Sequence, residues 1–384
     1  MGKHPDRPKK KNEKRRWGKP RMAYDFTVLF VVPILVLFGV LMIFSSSYYY
    51  TMTTAKYGLD MFYFLKKQSI WAVLGFGAMG VAMVIPYKTW WNFAGMAYWV
   101  SNIFLALLPV IGIEVNGQKR WLGVGPLQFQ PSEFTKIAVI WYLSFYLIKH
   151  KEELKTPKGF AKACCVLLLP VGLIAVSNFS SAILVGLIGA SILFIACPNI
   201  KFLFYPVAIA APLCAAALFL PQFAYRLGRI RIWKDPWSDP TGDGFQIIQS
   251  LYAVASGGLF GLGLGKSRQK TFIPEAYNDI IFAIICEELG ILGAGLVIFL
   301  FAVLIWRGIK IAVYAKDTFG RYVATGITAT IAFQSIINIG VVTNTIPNTG
   351  QPLPFISYGG TSLVFLMGMV GMLLNISTYP KDSE

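Results

Sequence analysis

Long apolar stretches separated by short polar segments dominate the hydrophobic pattern of this chain. Ten of these stretches approach the roughly 17–25 residues that an α-helix needs to cross a bilayer. They lie at 26–47, 69–86, 94–113, 133–149, 162–177, 180–198, 203–220, 280–305, 322–343 and 358–378. Only Asn178 and Phe179 separate the fifth stretch from the sixth, so a tight reverse turn must join them. The pattern predicts an all-α, polytopic integral membrane protein with ten transmembrane helices.

Basic residues fall in alternate loops of this pattern, as the positive-inside rule requires. The first 22 residues hold ten Lys or Arg, which places the N-terminus in the cytoplasm. The other basic loops on the same side carry Lys88, Lys149–Lys158, Lys201 and Arg307–Arg321. The short opposite loops at 178–179 and 344–357 contain no Lys or Arg. Both termini are therefore predicted to be cytoplasmic.

The same topology divides the chain into three regions. Residues 1–22 form a basic cytoplasmic tail, residues 23–380 form the ten-helix membrane domain, and residues 381–384 form the cytoplasmic C-terminus. Within the membrane domain, residues 221–279 form a large extracytoplasmic loop between helices 7 and 8. This loop is basic, but long loops translocate largely regardless of their charge.

Composition and charge narrow the possible partners and chemistries. The chain is 55% hydrophobic and has a net charge of +17. We assign most of that charge to a juxtamembrane polybasic segment that meets anionic lipid, and we predict no nucleic acid partner. The two histidines, His4 and His150, lie in the tail and in a cytoplasmic loop. Ser-His or Cys-His catalysis and a histidine-rich zinc site are therefore excluded on the far side, which leaves carboxylates.

Asp279 and Glu275 are the most promising external carboxylates. Asp279 opens the eighth span, and Glu275 precedes it by one turn. Helix capping is the simplest role for Asp279, yet Asn278 could fill that role equally well. Three cations suited to neutralising pyrophosphate lie shortly before them: Lys266, Arg268 and Lys270. An aspartate base beside these cations points towards a polyprenyl-pyrophosphate-linked substrate.

A second polar cluster, Asn116–Lys136, runs into the fourth span. Glu133 lies at the predicted helix N-terminus, which favours an anion. Lys136 lies three residues further on and on the same helical face, so the two can form an ion pair. The pair has two readings, a structural ion pair or a contact with substrate. The same segment also contains Arg120, Trp121 and Gln130.

Three long motifs in this order resemble those of the SEDS family (shape, elongation, division and sporulation), the membrane peptidoglycan glycosyltransferases. They are Asn116–Lys136 with its QPSEFTK core, Gly263–Gly290 with GKSRQK, PEAYND and EELG, and Pro347–Ser362 with PNTGQPLPFISYGGTS. The resemblance covers nearly the whole chain, from Tyr24 onward. The GLGKSRQK-to-PEA run and the basic tail favour the cell-division branch over the elongation and sporulation branches.

The resemblance implies an activity, a location and partners. The expected reaction polymerises lipid II, a disaccharide-pentapeptide on undecaprenyl pyrophosphate, at the outer face of the bacterial cytoplasmic membrane during septal wall synthesis. Asp279 is the expected general base. The expected substrate-binding residues are Arg120, Trp121, Gln130, Ser132, Glu133, Lys136, Lys266, Arg268, Lys270 and Glu275. A class B penicillin-binding protein transpeptidase and other divisome proteins are the expected partners.

Several alternatives stay open at the level of the sequence. A lipid II flippase could use the same cations without bond chemistry, and intramembrane Glu287 and Glu288 are compatible with it. An elongation-type polymerase and a scaffold that only recruits a transpeptidase are two others. No cofactor is required, although Asp279 could instead hold a divalent cation such as Mg or Mn that shields pyrophosphate. Residues 177–181 (SNFSS) replace an acidic PDxGT-like segment that is usual in the family, and residues 277–278 (YN) replace a more usual His-Thr.

Overall fold

The computed structural model describes residues 23–115, 118–124, 127–197, 199–203 and 224–379, which are mainly α-helical. The longer helices are α1 (Phe26–Thr53), α2 (Tyr63–Val84), α3 (Trp90–Ile111), α4 (Pro131–Lys149), α5 (Pro157–Ser177), α6 (Phe179–Ala196), α7 (Ala224–Lys234), α8 (Phe245–Ser256), α9 (Ile281–Val313), α10 (Thr318–Val342) and α11 (Gly360–Ser377). Most of the buried apolar side chains of these helices form one continuous core.

Eight of these helices are long and apolar enough to cross a membrane: α1, α2, α3, α5, α6, α9, α10 and α11. Each coincides with a predicted span, so the predicted multi-span helical protein is confirmed. The predicted span 133–149 is helical as α4, but its charged residues keep it out of this set of eight. The predicted span 203–220 lies outside the described residues, except for residue 203. The count of ten therefore stays a prediction.

Two local features were not predicted from the sequence. A small antiparallel sheet lies between α3 and α4, with strands β1 (Ile113–Val115), β2 (Gln118–Val124) and β3 (Leu127–Phe129) in the order β1-β2-β3. Its strands are too short for an alternating hydrophobic pattern to stand out. The predicted loop 221–279 also contains two helices, α7 and α8.

Helix α9 is interrupted at Gly290, whose φ of 66° and ψ of −166° are not helical. The segment 257–263 fills the interruption. The Leu262 N–H donates to the Glu287 carbonyl at 2.9 Å, and the N–H that follows Gly290 donates to the Gly258 carbonyl at 2.9 Å. Non-helical backbone at membrane depth is tolerated only where such partners satisfy it. The hydrogen bonds at this break therefore hold the segment 257–263 against α9.

Ion pairs identify one end of the helix bundle. Arg307 of α9 pairs with Asp25, just before α1, at 2.5 Å, and Lys88 pairs with Asp317, just before α10, at 2.9 Å. We call this the Asp25 end. It gathers the N-terminal start of α1 and the basic loops that the sequence assigns to one side of the membrane. Helices α4, α6, α9 and α11 begin at the opposite end, which we call the Asp279 end.

Candidate active site

Asp279 lies two residues before α9 and is held in place through its backbone. The Nδ2 of Asn338, on α10, donates to the Asp279 carbonyl at 2.7 Å and to the Gln351 carbonyl at 2.8 Å. A Cβ at Gly350 would lie 3.6 Å from the Asp279 Oδ2. The carboxylate therefore lies beside Gly350, which belongs to residues 347–358, the 347–358 loop.

The Asp279 carboxylate is not used for helix capping. Helix α9 begins after Ile280 without a side-chain cap, and the Nδ2 of Asn278 donates to Glu275 at 2.7 Å instead. Over the described residues, no Lys or Arg forms an ion pair with Asp279. The capping role that the sequence allowed is therefore absent, and the carboxylate is available for other chemistry.

Burial raises the pKa of the Asp279 carboxyl above its ordinary value. Its own backbone N–H lowers the pKa, the negative charge of Glu275 raises it, and the Arg229 guanidinium lowers it, but burial outweighs the rest. A pKa raised in this direction suits a side chain that must take up a proton, and such groups cluster at functional sites.

A cavity of about 500 Å³ lies next to the 347–358 loop and includes Gly350 in its wall. Its other walls come from the end of α5, the start of α6, α7 and α10. Two arginines line it. The Arg120 Nε donates to the last carbonyl of α5 at 3.1 Å, and the Arg229 Nη1 donates to the Asn348 carbonyl at 3.1 Å. Because Gly350 borders both the cavity and Asp279, we treat the cavity, the two cations and the carboxylate as one candidate site.

Arg229 was not predicted from the sequence. It lies in the segment 221–279, where a basic residue in a translocated loop needs no special role. The available signal was the short basic run on α7, which continues with Arg231 and Lys234. The cavity wall also contains the SNFSS segment, where the Asn178 side chain accepts a hydrogen bond from the backbone N–H of Ser181 at 3.1 Å. The departure from the family pattern therefore lies at the candidate site.

Glu133 and Lys136 form the ion pair that their spacing predicts, 2.8 Å apart. Their side chains are only 9% and 4% exposed. Ser362, at the start of α11, donates its hydroxyl to Glu133 at 2.7 Å. The pair thus joins α4 to α11 in the interior. This geometry favours the structural reading of the pair over direct contact with substrate.

The three predicted pyrophosphate-binding cations do not line the cavity. Lys270 is buried, with its Nζ 3.2 Å from the Glu288 carboxylate and 2.6 Å from the Gly265 carbonyl. Lys266 and Arg268 are exposed. Lys270 therefore serves a buried ion pair here, and the substrate roles of the other two stay predictions.

The other predicted residues lie apart from the cavity lining. Trp121 on β2 and Gln130 before α4 are half-buried, and the buried Ser132 hydroxyl has no hydrogen-bond partner in the described part of the chain. Glu275 has a φ of 51°, a conformation that costs a non-glycine residue about 1–3 kcal/mol and is most often retained at functional sites. Its position one turn before Asp279 gives it an electrostatic role there.

A divalent cation was the alternative predicted for Asp279. No three His, Cys, Asp or Glu side chains gather as metal ligands within the described ranges. Mg²⁺ commonly binds through one or two carboxylates together with substrate phosphates. Asp279 and Glu275 therefore fit such a cation only together with a bound pyrophosphate.

Comparison with known proteins identifies the family. The cell cycle protein family that comprises FtsW, RodA and SpoVE matches residues 26–382. The probable peptidoglycan glycosyltransferase FtsW of Geobacter sulfurreducens is 40% identical over 365 residues, covering 94% of this chain and 96% of the relative. The stage V sporulation protein E of Bacillus subtilis is 40% identical over 364 residues, covering 93% and 98%. Division and sporulation relatives thus match equally well.

Solved structures agree with the sequence relatives. A chain from a peptidoglycan synthase complex that coordinates polymerization and crosslinking superposes with a TM-score of 0.74 and 26% identity, covering 93% of this chain and 98% of that one. The rod shape determining protein RodA of Thermus thermophilus superposes with a TM-score of 0.66 and 23% identity, covering 93% and 97%, and supports the fold. The resemblance predicted from the three motifs is confirmed: the chain belongs to the FtsW/RodA/SpoVE family of cell cycle proteins.

Proposed function

We propose that this chain is a peptidoglycan glycosyltransferase that polymerises lipid II at the outer face of the cytoplasmic membrane, with a septal role in cell division. The observation that carries the proposal is Asp279, an aspartate without an ion pair among the described residues, whose pKa is raised and which contacts the wall of a cavity lined by two arginines. Family membership supplies the substrate class.

In the proposed reaction, Asp279 removes the proton from the 4-hydroxyl of the acceptor GlcNAc. The freed oxygen attacks the anomeric carbon of the donor strand and forms the new glycosidic bond. The bond from that carbon to the pyrophosphate oxygen breaks, and undecaprenyl pyrophosphate leaves with the electron pair. The attack inverts the anomeric centre. General-base assistance of this kind is typically worth roughly 10²–10⁴-fold in rate.

Arg120 and Arg229 are the cations placed to receive the leaving pyrophosphate. Each guanidinium donates a hydrogen bond to a backbone carbonyl, which holds it at the cavity wall. Arginine binds phosphate oxygens through two parallel hydrogen bonds, and the aliphatic part of the cavity wall, which includes Ile183 and Ile337, strengthens such contacts by lowering the local dielectric. These two residues therefore replace buried Lys270 as the main proposed pyrophosphate contacts.

The flippase alternative rested on the intramembrane glutamates. Glu287 accepts hydrogen bonds from the Ser267 hydroxyl and from the Arg268 N–H at 2.9 Å. Glu288 pairs with Lys270 and accepts from the Ser45 hydroxyl at 2.5 Å. Carboxylates with this many partners serve to fix the preceding loop. A moving proton or substrate would have to break that network, so the polymerase is the better-supported function.

A single-span class B penicillin-binding protein is the proposed partner, because the solved relative belongs to a complex that couples polymerization to crosslinking. The decisive test uses lipid II and the purified chain in detergent micelles, with and without a cognate transpeptidase. A micelle has no second leaflet, so transport cannot produce a signal. Glycan strands on a gel are expected. Unconverted lipid II in every sample, with folded protein, would exclude the polymerase.

A further inference from the structure

An apolar groove at the Asp25 end of the bundle lies about one helical turn beyond the candidate cavity on α6 and α10, where Ser191 follows Leu187 and Phe333 precedes Ile337 by four residues. It has a volume of about 510 Å³ and runs between α6, α9 and α10. Its walls are mainly aliphatic, with Ile195 from α6, Ile309 from α9 and Phe333 from α10. Ile195 and Ile309 are exposed on the outside of the bundle. The groove therefore opens on the outside of the described helices.

Among the described residues that line this groove, Arg321 is the only charged one. Its Nε is buried without a hydrogen-bond partner, and no hydrogen bond or ion pair joins its side chain to another described residue. The lining hydroxyls of Thr325 and Thr328 instead donate to carbonyls of their own helix at 2.8 Å and 2.7 Å. A buried donor without an acceptor is costly, more so when it is charged. The Arg321 side chain is half-buried, and it has no anionic acceptor among the described residues.

The dimensions of the groove match one leaflet of a bilayer. Arg321 lies in the first turn of α10, and Phe333 lies twelve residues further along the same helix. At about 1.5 Å per residue the two are roughly 18 Å apart along the axis, close to half of a hydrocarbon core about 30 Å thick. An anion at Arg321 would thus lie at headgroup depth, with the groove below it at the depth of acyl chains.

Local charge favours an anionic ligand over a zwitterionic one. The nearest carboxylate in the sequence, Asp317, is already paired with Lys88, and Asp25 is paired with Arg307. No carboxylate of the described residues is therefore paired with Arg321. We infer that the groove holds one anionic glycerophospholipid, with its phosphate on Arg321 and an acyl chain along α10.

Native mass spectrometry of the full-length protein in detergent tests this site, with dioleoyl phosphatidylglycerol and dioleoyl phosphatidylcholine as the two probes. Wild type is expected to retain one phosphatidylglycerol more strongly than phosphatidylcholine. Arg321→Gln removes the charge-assisted hydrogen bonds and is expected to weaken that retention roughly tenfold. Lys158→Gln removes an exposed charge from the start of α5, outside the groove, and is expected to bind as wild type does.

A second variant keeps the test independent of the stability of the arginine variant. Ala332→Trp fills the half-buried groove wall while retaining Arg321, and it too is expected to lose the bound phosphatidylglycerol. Equal retention of the two lipids by wild type would overturn the inference. So would retention of phosphatidylglycerol at wild-type strength by either groove variant.

Discussion

Replacing Lys270 with Met separates a structural role from a substrate-binding one. The Lys270 side chain is 3% exposed and Glu288 is fully buried, with 3.2 Å between the charged atoms. Removing one partner of such a pair leaves an uncompensated buried charge and typically costs about 3–5 kcal/mol. Glu288 would keep the Ser45 hydroxyl at 2.5 Å and the Ser267 N–H at 3.3 Å. We therefore expect the lower end, about 3 kcal/mol.

The assay is thermal unfolding in detergent, followed by size-exclusion fluorescence, with polymerisation measured on the protein that stays folded. Lys266→Met is the matched control, because Lys266 is exposed and such a change usually alters stability by about 0.5 kcal/mol or less. Lys270→Met is expected to unfold at a lower temperature than this control. Adding Glu288→Gln to it should recover part of the loss, because the stranded charge is then removed.

Equal unfolding temperatures for Lys270→Met and Lys266→Met would refute the buried-pair reasoning. A Lys270→Met protein of normal stability that needs more lipid II would instead restore the pyrophosphate role that the sequence suggested. A structural role for Lys270 thus predicts a lower unfolding temperature, whereas a substrate-binding role predicts a normal unfolding temperature and a higher requirement for lipid II.

Three further changes test the geometry around the site. Gly290→Ala should destabilise the protein by at least about 1–3 kcal/mol, because the φ of Gly290 is 66° and an added Cβ would lie 2.5 Å from the Gly261 N. Gly295→Ala is the control, because a Cβ at Gly295 would meet nothing within 4 Å. Equal unfolding temperatures of the two variants would contradict the account of the break in α9. The polymerisation rate should fall as the pH drops through the raised pKa of Asp279. Glu275→Gln should shift this acidic limb of the pH–rate profile to lower pH, because it removes a negative charge that raises the pKa of Asp279. An unshifted limb would exclude the electrostatic coupling of Glu275 to Asp279. Arg229→Ala should raise the KM for lipid II about tenfold or more. It should also shift the acidic limb of the pH–rate profile to higher pH, because Arg229 lowers the pKa of Asp279. Unchanged kinetics would show that Arg229 is not part of the site.

Local patterns in the sequence were enough to find the membrane helices and some short-range contacts. Eight predicted spans appear as helices because about 20 apolar residues in a row have few other stable arrangements. The Glu133–Lys136 pair also follows directly from helical spacing.

Contacts between distant segments could not be predicted in this way. Arg120, Arg229 and Gly350 meet at one cavity although more than a hundred residues separate each from the next. Only the packing of α5, α6, α7 and α10 brings them together. The partner of Lys270 was missed for a similar reason, because the loop must fold back onto the broken helix α9 before Glu288 comes within reach. The spacing of residues along a single sequence does not show that this loop folds back onto α9.

The most direct test of the proposed mechanism compares Asp279→Asn with Asp243→Asn in lipid II polymerisation by the purified, folded chain and its transpeptidase partner. Asp243 is exposed in the same segment, 221–279, and serves as a charge-matched control. We expect strands from wild type and from Asp243→Asn, and a loss of roughly 10²-fold or more in Asp279→Asn, because its amide cannot accept the proton. Polymerisation by Asp279→Asn at the wild-type rate would contradict the assignment of Asp279 as the general base.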